Sequence, residues 1–269
     1  MESDQNQLAS LFPNVASQLR SAMSNLHLAA AQLAPASARE QDPALDARAA
    51  LLDQSYYQLL RLVNNLSAAA YLSDDTPPHL QDRDIVALVS DLCDRAASLA
   101  PLLGVELRFI CGLDRHICAI APDAVEQLLY HLLSNAFKFT PAGGTVTVEL
   151  RVKGSFILLS VADTGCGISE EQLSTLFDRY LHQHPMDPPP HGVGLGLPLC
   201  SHIAKGHGGT LMAESHPGTG SRFTVSIPDR QMGDAVSDVP FDYSGGFNRT
   251  LMALSDALPP KAFLLRSQE

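Results

Sequence analysis

An imidazole, an amide and an ammonium group recur at helical spacing in the middle of this chain. His131, Asn135 and Lys138 lie four and then three residues apart in HLLSNAFKFT, so a helix would place them on one face. The amide oxygen of Asn135 suits Mg²⁺, a hard cation that prefers oxygen ligands. Lys138 can neutralise phosphate charge, and Phe139 can pack against a base or a ribose. His131 is either a proton acceptor for a nucleophile or a histidine satisfied by a helix neighbour.

A carboxylate and two glycines follow the apolar stretch FILLSV. Asp163 ends this predicted strand, and Gly165 and Gly167 come directly after it in DTGCGI. A carboxylate at a strand end can accept the exocyclic amine of adenine, and glycines let the backbone approach a ligand closely. A calcium-binding turn is the alternative, but the acidic ligands that calcium needs do not recur at the required spacing. Asp163, Gly165 and Gly167 are therefore candidate residues for binding a ligand that carries an amine.

A second glycine cluster opens a predicted helix near residue 196. Glycines at the start of a helix expose backbone N–H groups, and the helix dipole favours phosphate oxygens there. The same spacing occurs in dinucleotide-binding folds and in simple turns, but no βαβ unit surrounds it here. The predicted phosphate-facing residues are Gly192, Gly194, Leu195 and Gly196.

The segment between the two glycine clusters contains a candidate phosphate ligand. Arg179, in LFDRY, can reach a phosphate, although a surface arginine is nearly as good an interpretation. Phe177 is expected to anchor this segment in the core. The stretch LHQHPMDPPPH that follows contains four prolines, which limit its conformations. We therefore expect a rather stiff loop over the site.

The elements before residue 75 are predicted to be helical. Apolar residues at steps of three and four predict one helix over 5–34 and another over 44–71, with a connector after Ala34-Pro35. Each helix would be about 42 Å long. Because an isolated pair could not bury both apolar stripes, we expect a homodimeric four-helix bundle from residues 1–75. Packing of these helices on the following domain is the alternative.

The pattern between 79 and 228 is mixed, with predicted helices over 84–100 and 122–139. It predicts an α+β fold in which helices cover one face of a mixed sheet, as a two-layer α/β sandwich. Residues 229–269 combine a loop, a helix in FNRTLMALSDAL and an edge strand in AFLLRS, and we expect this C-terminal extension to dock on the same domain. The predicted sheet strands are Glu106–Ile110, Thr145–Val152, Phe156–Asp163, Thr210–Glu214 and Arg222–Ile227.

Composition excludes several classes of protein. The net charge of −11 argues against nucleic acid or an anionic membrane as the main partner. The five cysteines show no zinc-like pairing and are typical of a reduced cytosolic protein. No apolar run reaches the roughly 18 residues that a membrane span needs. We therefore expect a soluble protein of the cytoplasm without a membrane span.

In their order along the chain, the motifs resemble the ATPase domain shared by histidine kinases, type II topoisomerase subunits and heat-shock-90 chaperones. HLLSNAFKFT is similar to the N box, DTGCGI to the G1 box, LFDRY to the F box and GVGLGL to the glycine-rich box that follows the lid. GTGSRF is similar to the closing strand, where Ser221 replaces the usual threonine and can preserve its hydrogen bond. The resemblance covers about residues 80–228 and implies that ATP and Mg²⁺ bind there.

The N-terminal helices resemble the dimerisation and phosphotransfer hairpin of histidine kinases, with one large departure. The phosphoacceptor histidine of the family aligns with Ser17, and its acidic neighbour aligns with Gln18. Autophosphorylation needs an imidazole nucleophile and a nearby carboxylate, which a serine followed by a glutamine does not supply. His27 lies ten residues further on, about 80° around the helix from Ser17, and no acid follows it. We interpret His27 as a helix-surface residue.

Three functions remain open at this point. The first is a histidine kinase homologue of a two-component system, which passes the γ-phosphoryl group of ATP to histidine and then to a response regulator. The second is a non-catalytic dimer that uses nucleotide occupancy to regulate a partner kinase or a response regulator. The third is an ATPase or serine kinase on the same fold, with His131 as the base.

Overall fold

The computed structural model describes residues 2–69, 77–175, 194–233 and 248–265, without the side chains of 2–13, 69, 174 and 175. The chain divides into two compact units. The helical unit combines residues 1–74 with residues 247–269, and the α/β unit comprises residues 75–246.

The N-terminal part of the helical unit is a hairpin, as the apolar spacing predicts. Its helices are α1 (Glu2–Leu33), α2 (Ala36–Gln41) and α3 (Pro43–Ala69). The short α2 lies in the stretch predicted as a connector. The carboxylate of Asp42 accepts the N–H groups of Ala44 and Leu45 at 2.9 and 3.1 Å and so caps the start of α3.

Two apolar stripes run along the hairpin, and only one of them is buried within the described residues. The buried stripe joins α1 to α3 through Ala16, Met23, Tyr56, Leu60 and Val63. The second stripe is 44–71% exposed. We call it the outer stripe, and it consists of Val15, Leu19 and Leu26 on α1 with Leu52 and Leu59 on α3.

The α/β unit alternates helices and strands from residue 81 to residue 228. Its helices are α4 (Ile85–Ala97), α5 (Pro122–Phe139), α6 (Glu170–Thr175) and α7 (Gly196–Gly206), with a 3₁₀ turn at Ala100–Leu103. Its strands are β1 (Gln81–Asp84), β2 (Glu106–Cys111), β3 (Ile117–Ile120), β4 (Thr145–Lys153), β5 (Phe156–Asp163), β6 (Thr210–His216) and β7 (Gly220–Pro228).

A five-stranded sheet in the order β2-β4-β5-β7-β6 forms one layer of this unit. Only the β2–β4 pair is parallel, and the other three pairs are antiparallel. Alternate residues such as Val146, Val148 and Leu150 of β4 are buried, and α4, α5 and α7 contact the sheet. The predicted α+β sandwich, with helices on one face of a mixed sheet, is confirmed.

A separate two-stranded sheet of β1 and β3 was missing from the prediction. The sequence of β1, QDRD, has no apolar alternation because its acids bind backbone groups instead. The carboxylate of Asp82 accepts the N–H groups of Met232 and Gly233, both at 2.8 Å. Asp84 caps α4 by accepting the N–H groups of Val86 and Ala87.

A buried histidine joins the end of α7 to the start of α5. The Nδ1 of His207 lies 2.7 Å from the carbonyl oxygen of Ile203, which can only accept, so Nδ1 carries the proton. Nε2 then accepts the N–H of Ala121, 3.0 Å away, at the start of α5. Burial lowers the pKa of His207 below its usual value. Protonation of Nε2 would remove the acceptor that Ala121 needs.

The depressed pKa of His207 predicts a loss of stability in mild acid. Because the neutral ring is favoured in the folded state, its stabilisation is complete above the unfolded pKa of about 6.5 and is lost as the pH falls through the lower folded pKa. Circular dichroism melts between pH 7.5 and 5 should show this loss in the wild type. The variant His207→Gln should be about 1–2 kcal/mol less stable at pH 7.5 and less dependent on pH. The variant His202→Gln, on the same helix, should keep the wild-type dependence, and equal slopes in all three proteins would contradict this account.

Residues 248–265 of the C-terminal extension pack within the helical unit, so our expectation that the extension would dock on the α/β unit was wrong for this part. Residues 229–233 do stay on the α/β unit, where the carbonyl of Arg230 accepts the N–H of Ala119. Residues 248–265 instead form α8 (Arg249–Leu254) and a 3₁₀ turn at Pro260–Phe263, with the side chain of Asn248 capping α8. The predicted edge strand in AFLLRS was also wrong for its described residues, because the 3₁₀ turn that begins at Pro260 includes Ala262 and Phe263.

The side chains of α3 explain where residues 248–265 bind. Gln54 donates to the carbonyl of Leu258 at 2.8 Å, and Gln58 donates to that of Ser255 at 3.2 Å. The guanidinium of Arg61 pairs with Asp256 at 3.0 Å. The apolar side of the segment is buried through Leu251, Leu254, Leu258, Ala262 and Phe263.

Candidate functional site

The carboxylate of Asp163 is held at the end of β5 by two backbone donors. Its Oδ1 accepts the N–H of Gly165 at 2.9 Å and the N–H of Ser221 at 3.3 Å. Among the described residues, no donor bonds its second oxygen, Oδ2. Burial raises the pKa of the Asp163 carboxyl, and the two N–H donors oppose this shift. An oriented, half-buried carboxylate with one oxygen available suits a ligand that carries an N–H donor.

The turn after Asp163 lies directly against the end of α5. A side-chain carbon at Gly165 would clash with the carbonyl oxygen of Phe139, so only glycine fits there. The same carbonyl accepts the N–H of Cys166 at 3.4 Å. The structure thus joins the residues predicted to bind the base to the helix predicted to bind the metal.

A serine pair fixes the far side of the same turn. The hydroxyl of Ser215 accepts the N–H of Ile168 at 2.8 Å and lies 2.9 Å from the hydroxyl of Ser221. Gly167 adopts a φ of +69° and approaches the backbone of His216, a conformation that favours glycine. Ser221 therefore supports the turn through its side chain and Asp163 through its N–H.

The face of α5 that carries the predicted ligands differs in exposure along its length. Asn135 and Lys138 are half-buried, and Phe139 is 44% exposed, so ligands can reach these side chains. His131 is only 4% exposed. A side-chain carbon at Gly196 would lie 3.4 Å from Nδ1 of His131, so the ring packs against the start of α7. Its role as a base stays a prediction.

The start of α7 presents backbone N–H groups without a side-chain cap. Leu195, at the N-cap position, makes no capping hydrogen bond and is itself buried. Gly194 adopts a φ of +70°, and a side-chain carbon there would meet no atom of the described residues within 4 Å. The start of α7 meets α5 at His131, and the turn after Asp163 meets α5 at Phe139, so both motifs contact the helix that carries the predicted ligands.

Two predicted site residues, Arg179 and Gly192, lie outside the described residues, as does Phe177. Among the described residues, no group of three or more histidine, cysteine or acidic side chains could hold a metal. Asn135 stays the residue predicted to hold Mg²⁺, whose remaining ligands would come from phosphate and water.

A depression of about 460 Å³ lies on the face of the sheet formed by β4, β5, β6 and β7, apart from the candidate nucleotide site. The carboxylate of Glu149 lies in it and pairs with Arg151 and Arg222 at 3.2 and 3.3 Å. It contains no residue of the predicted nucleotide site. Its lining residues are Glu149, Arg151, Leu158, Ser160, Met212, Glu214, Arg222 and Thr224.

On the hairpin, the described surroundings of Ser17 contain no catalytic partner. Ser17 and Gln18 are both exposed on α1. Nearby, Arg20 donates to the hydroxyl of Ser67 at 3.0 Å. Within the described part of the chain, no carboxylate bonds the hydroxyl of Ser17.

Comparison with known proteins agrees with this arrangement. Residues 120–231 match the family of histidine kinase-, DNA gyrase B- and HSP90-like ATPases. The sensor-like histidine kinase SenX3 of Mycobacterium tuberculosis H37Rv is 32% identical over 152 residues, which cover 56% of this chain and 37% of the relative. The sensor protein DivL of Caulobacter vibrioides is 32% identical over 180 residues, or 66% of this chain and 23% of DivL. Residues 120–231 thus match the ATPase domain of this family, and the relatives that the chain matches are sensor proteins and histidine kinases.

Solved structures show the same fold for this histidine kinase homologue. Full-length ShkA in complex with AMPPNP superposes with a TM-score of 0.65 at 22% identity, over 86% of this chain and 47% of ShkA. The histidine kinase AdeS of Acinetobacter baumannii gives a TM-score of 0.52 at 20% identity, over 79% of this chain and 97% of AdeS. The chain spans well under half the length of the curated relatives it matches.

Ser215 is a site residue that sequence reasoning missed in this kinase homologue. The turn PGTG joins β6 to β7 and sets a register in which Ser215 faces Ser221. Reading that hairpin register from the sequence would have found the pair.

In the described part of the chain, no helix is long and apolar enough to cross a membrane.

Proposed function

We propose that this chain binds Mg·ATP in the α/β unit and transfers the γ-phosphoryl group to a histidine within a two-component system. The observation that carries the proposal is the contact of the Asp163–Gly167 turn and the start of α7 with a single helix, α5. Three sequence-distant motifs with complementary chemistry thereby meet along one helix. A carboxylate, an amide and uncapped N–H groups are what an adenine, a magnesium ion and a triphosphate require.

Each residue has a distinct part in this proposal. Oδ2 of Asp163 accepts the adenine amine, while Gly165 keeps the approach to the base open. Asn135 holds Mg²⁺, which would offset phosphate charge, and Lys138 adds a further positive charge. Gly194 and Gly196 let phosphate oxygens reach the first N–H groups of α7. Arg179 and Gly192 are proposed as further phosphate contacts from their motifs alone.

A titration of the purified chain with ATP tests this site. Isothermal calorimetry should show one saturable site per chain, with tighter binding in Mg²⁺ than in EDTA. Absence of binding at millimolar ATP in Mg²⁺ would refute the proposed function. An affinity for GTP equal to that for ATP would argue against a contact that recognises the adenine amine.

We further propose that the hairpin forms a homodimer through the outer stripe. Val15, Leu19 and Leu26 lie within about 40° of one another around α1, so they present one continuous apolar surface. A second copy offers the same surface and would complete a four-helix bundle. The partners of such a dimer would be a response regulator or a partner kinase. The unpaired cysteines among the described residues fit the reducing cytoplasm.

The homodimer predicts a specific effect of charge on the outer stripe. The variant Leu26→Glu should shift the mass measured by light scattering from dimer to monomer at micromolar concentration, because a buried carboxylate would lack a partner. The variant Ser24→Glu, exposed on the same helix, should stay dimeric. A wild-type monomer at all concentrations would contradict the assignment.

A second candidate is a nucleotide-gated regulator without phosphoryl transfer. The observation that favours it is the presence of exposed Ser17 and Gln18 where the family has its acceptor and acid. ATP binding would then shift the populations of two hairpin conformations. Binding of ATP without acid-labile label or phosphate release would support this reading. Phosphate release that disappears in His131→Ala would instead support an ATPase, although the burial of His131 weighs against it.

A further inference from the structure

We propose that His27 is the phosphoryl acceptor of this chain, an inference that rests on the proposed ATP-dependent transfer. Of the ten histidines, nine lie between residues 79 and 216, so His27 is the one histidine in the sequence of the helical unit. It lies seven residues from Ala34, near the end of α1. The helical unit therefore offers a single imidazole for transfer.

The structure supplies the acid that the local sequence lacks. Nδ1 of His27 faces Oδ1 of Asp53 on α3 at 3.7 Å, and this nitrogen is buried. The ring stacks on Tyr56 with centroids 4.2 Å apart and planes 12° apart. A 3.7 Å separation is longer than a hydrogen bond, so the proposed transfer requires the two side chains to move closer together. The interpretation of His27 as a helix-surface residue considered only residues that follow on the same helix, and so it did not include these contacts with α3.

The carboxylate of Asp53 is itself held in place by a buried arginine. Arg39 on α2 donates to Oδ2 of Asp53 and to Oδ1 of Asp46, both at 2.8 Å. A third bond runs from Arg39 to the carbonyl of Phe263 at 3.1 Å. One guanidinium thus faces two carboxylates, and it bonds Oδ2 of Asp53, so that Oδ1 is left to face Nδ1 of His27.

This arrangement is competent for transfer to Nε2. A proton on Nδ1 leaves the lone pair on Nε2, and the His27 side chain keeps 29% of its surface exposed. Nε2 forms a bond to the γ-phosphorus of ATP while the bond from that phosphorus to the β–γ bridging oxygen breaks. ADP leaves with the electron pair of the broken bond. The Nδ1 proton passes to Asp53, so the phosphoimidazole is left without an extra positive charge on its ring.

Asp53 acts here as a positioning residue and proton acceptor, whereas Asp46 shares only the arginine. This difference gives a matched pair of variants. Asp53→Asn removes the acceptor next to His27, and Asp46→Asn removes an equivalent partner of Arg39 without touching the ring. A merely structural role of the cluster would affect both variants alike.

The experiment incubates the full chain with Mg²⁺ and γ-³²P-ATP and measures label on the protein. Wild type should acquire label that is lost in acid and kept in base, as a phosphoramidate is. His27→Gln should lose all of this label, while His79→Gln, at an exposed position of the α/β unit, should keep it. Asp53→Asn should label about 100-fold more slowly, the usual scale for loss of a general base, with a changed pH–rate profile, and Asp46→Asn should keep the wild-type profile.

ATP affinity is measured on every sample, so that a failure of the proposed ATP binding can be distinguished from a failure of the proposed role of His27. Wild type that binds ATP but acquires no label would overturn the acceptor role and leave nucleotide binding standing. Acid-labile label that persists in His27→Gln, or acid-stable label of the kind carried by serine, would also overturn it. Wild type that does not bind ATP would overturn both proposals. Loss of label in His27→Gln counts as support only if its ATP affinity and melting temperature match the wild type.

Discussion

Replacing Asp163 by asparagine is expected to lower the affinity for ATP about 30- to 150-fold while leaving the fold intact. The amide oxygen of asparagine can still accept the N–H groups of Gly165 and Ser221. Its NH₂ group then occupies the place of Oδ2, where it faces the adenine amine as one donor against another. Loss of a hydrogen bond to a charged group costs about 2–3 kcal/mol, which corresponds to the stated range.

The stability of this variant separates a binding effect from a folding effect. Because burial already raises the pKa of Asp163, removal of its charge should leave the melting temperature unchanged or slightly higher. Calorimetric titration measures the affinity, and circular dichroism measures the melt. The variant Asp91→Asn, an exposed acid of α4 paired with Arg95, serves as the control. Wild-type affinity in Asp163→Asn would remove the base-binding role from this carboxylate.

Truncation of Phe263 to alanine is expected to destabilise the helical unit by about 3–5 kcal/mol. Phe263 is fully buried, and its ring lies 5.6 Å from that of Tyr57. The cost combines the lost burial of an aromatic ring with the cavity left behind. The carbonyl of residue 263 would still accept the bond from Arg39, so the effect isolates the side chain.

Because Phe263 lies in the helical unit, its truncation should weaken the protection of amides there and leave the α/β unit unaffected. Hydrogen exchange should show faster exchange of α3 amides in Phe263→Ala, while the strands of the α/β unit stay protected. Phe156→Ala removes a phenylalanine that is 45% exposed at the start of β5, and it should leave α3 unchanged. Unaltered exchange of α3 in Phe263→Ala would show that the C-terminal segment does not stabilise the hairpin.

The candidate nucleotide site could be proposed from the sequence because each of its motifs is a short, contiguous stretch of the chain. Asn135 and Lys138 share a helix face by simple periodicity, and Asp163 closes an apolar strand before two glycines. The sheet strands followed from period-two patterns, since one face of the sheet is buried. The charged strand β1 was not predicted, because it has no apolar alternation and its Asp82 and Asp84 accept backbone N–H groups instead.

The hairpin contains contacts between residues far apart in the sequence, which the spacing of residues within one helix does not predict. The acid beside His27 comes from Asp53, 26 residues away on another helix, so no search of neighbouring positions finds it. The site of residues 248–265 was equally hidden, because an apolar segment reveals that it will be buried but not against which surface. There the polar side chains of α3, such as Gln54 and Arg61, decide the location. Both locations depend on contacts between different helices, and the periodicity of a single helix does not reveal them.

The most direct test of the nucleotide site is a crystal structure of this chain with a non-hydrolysable ATP analogue and Mg²⁺. We predict the adenine amine at hydrogen-bond distance from Oδ2 of Asp163, Mg²⁺ on the amide oxygen of Asn135, and phosphate oxygens at the N–H groups that begin α7. A nucleotide seated elsewhere, or one in this region with neither Asp163 nor Asn135 in contact, would contradict the account.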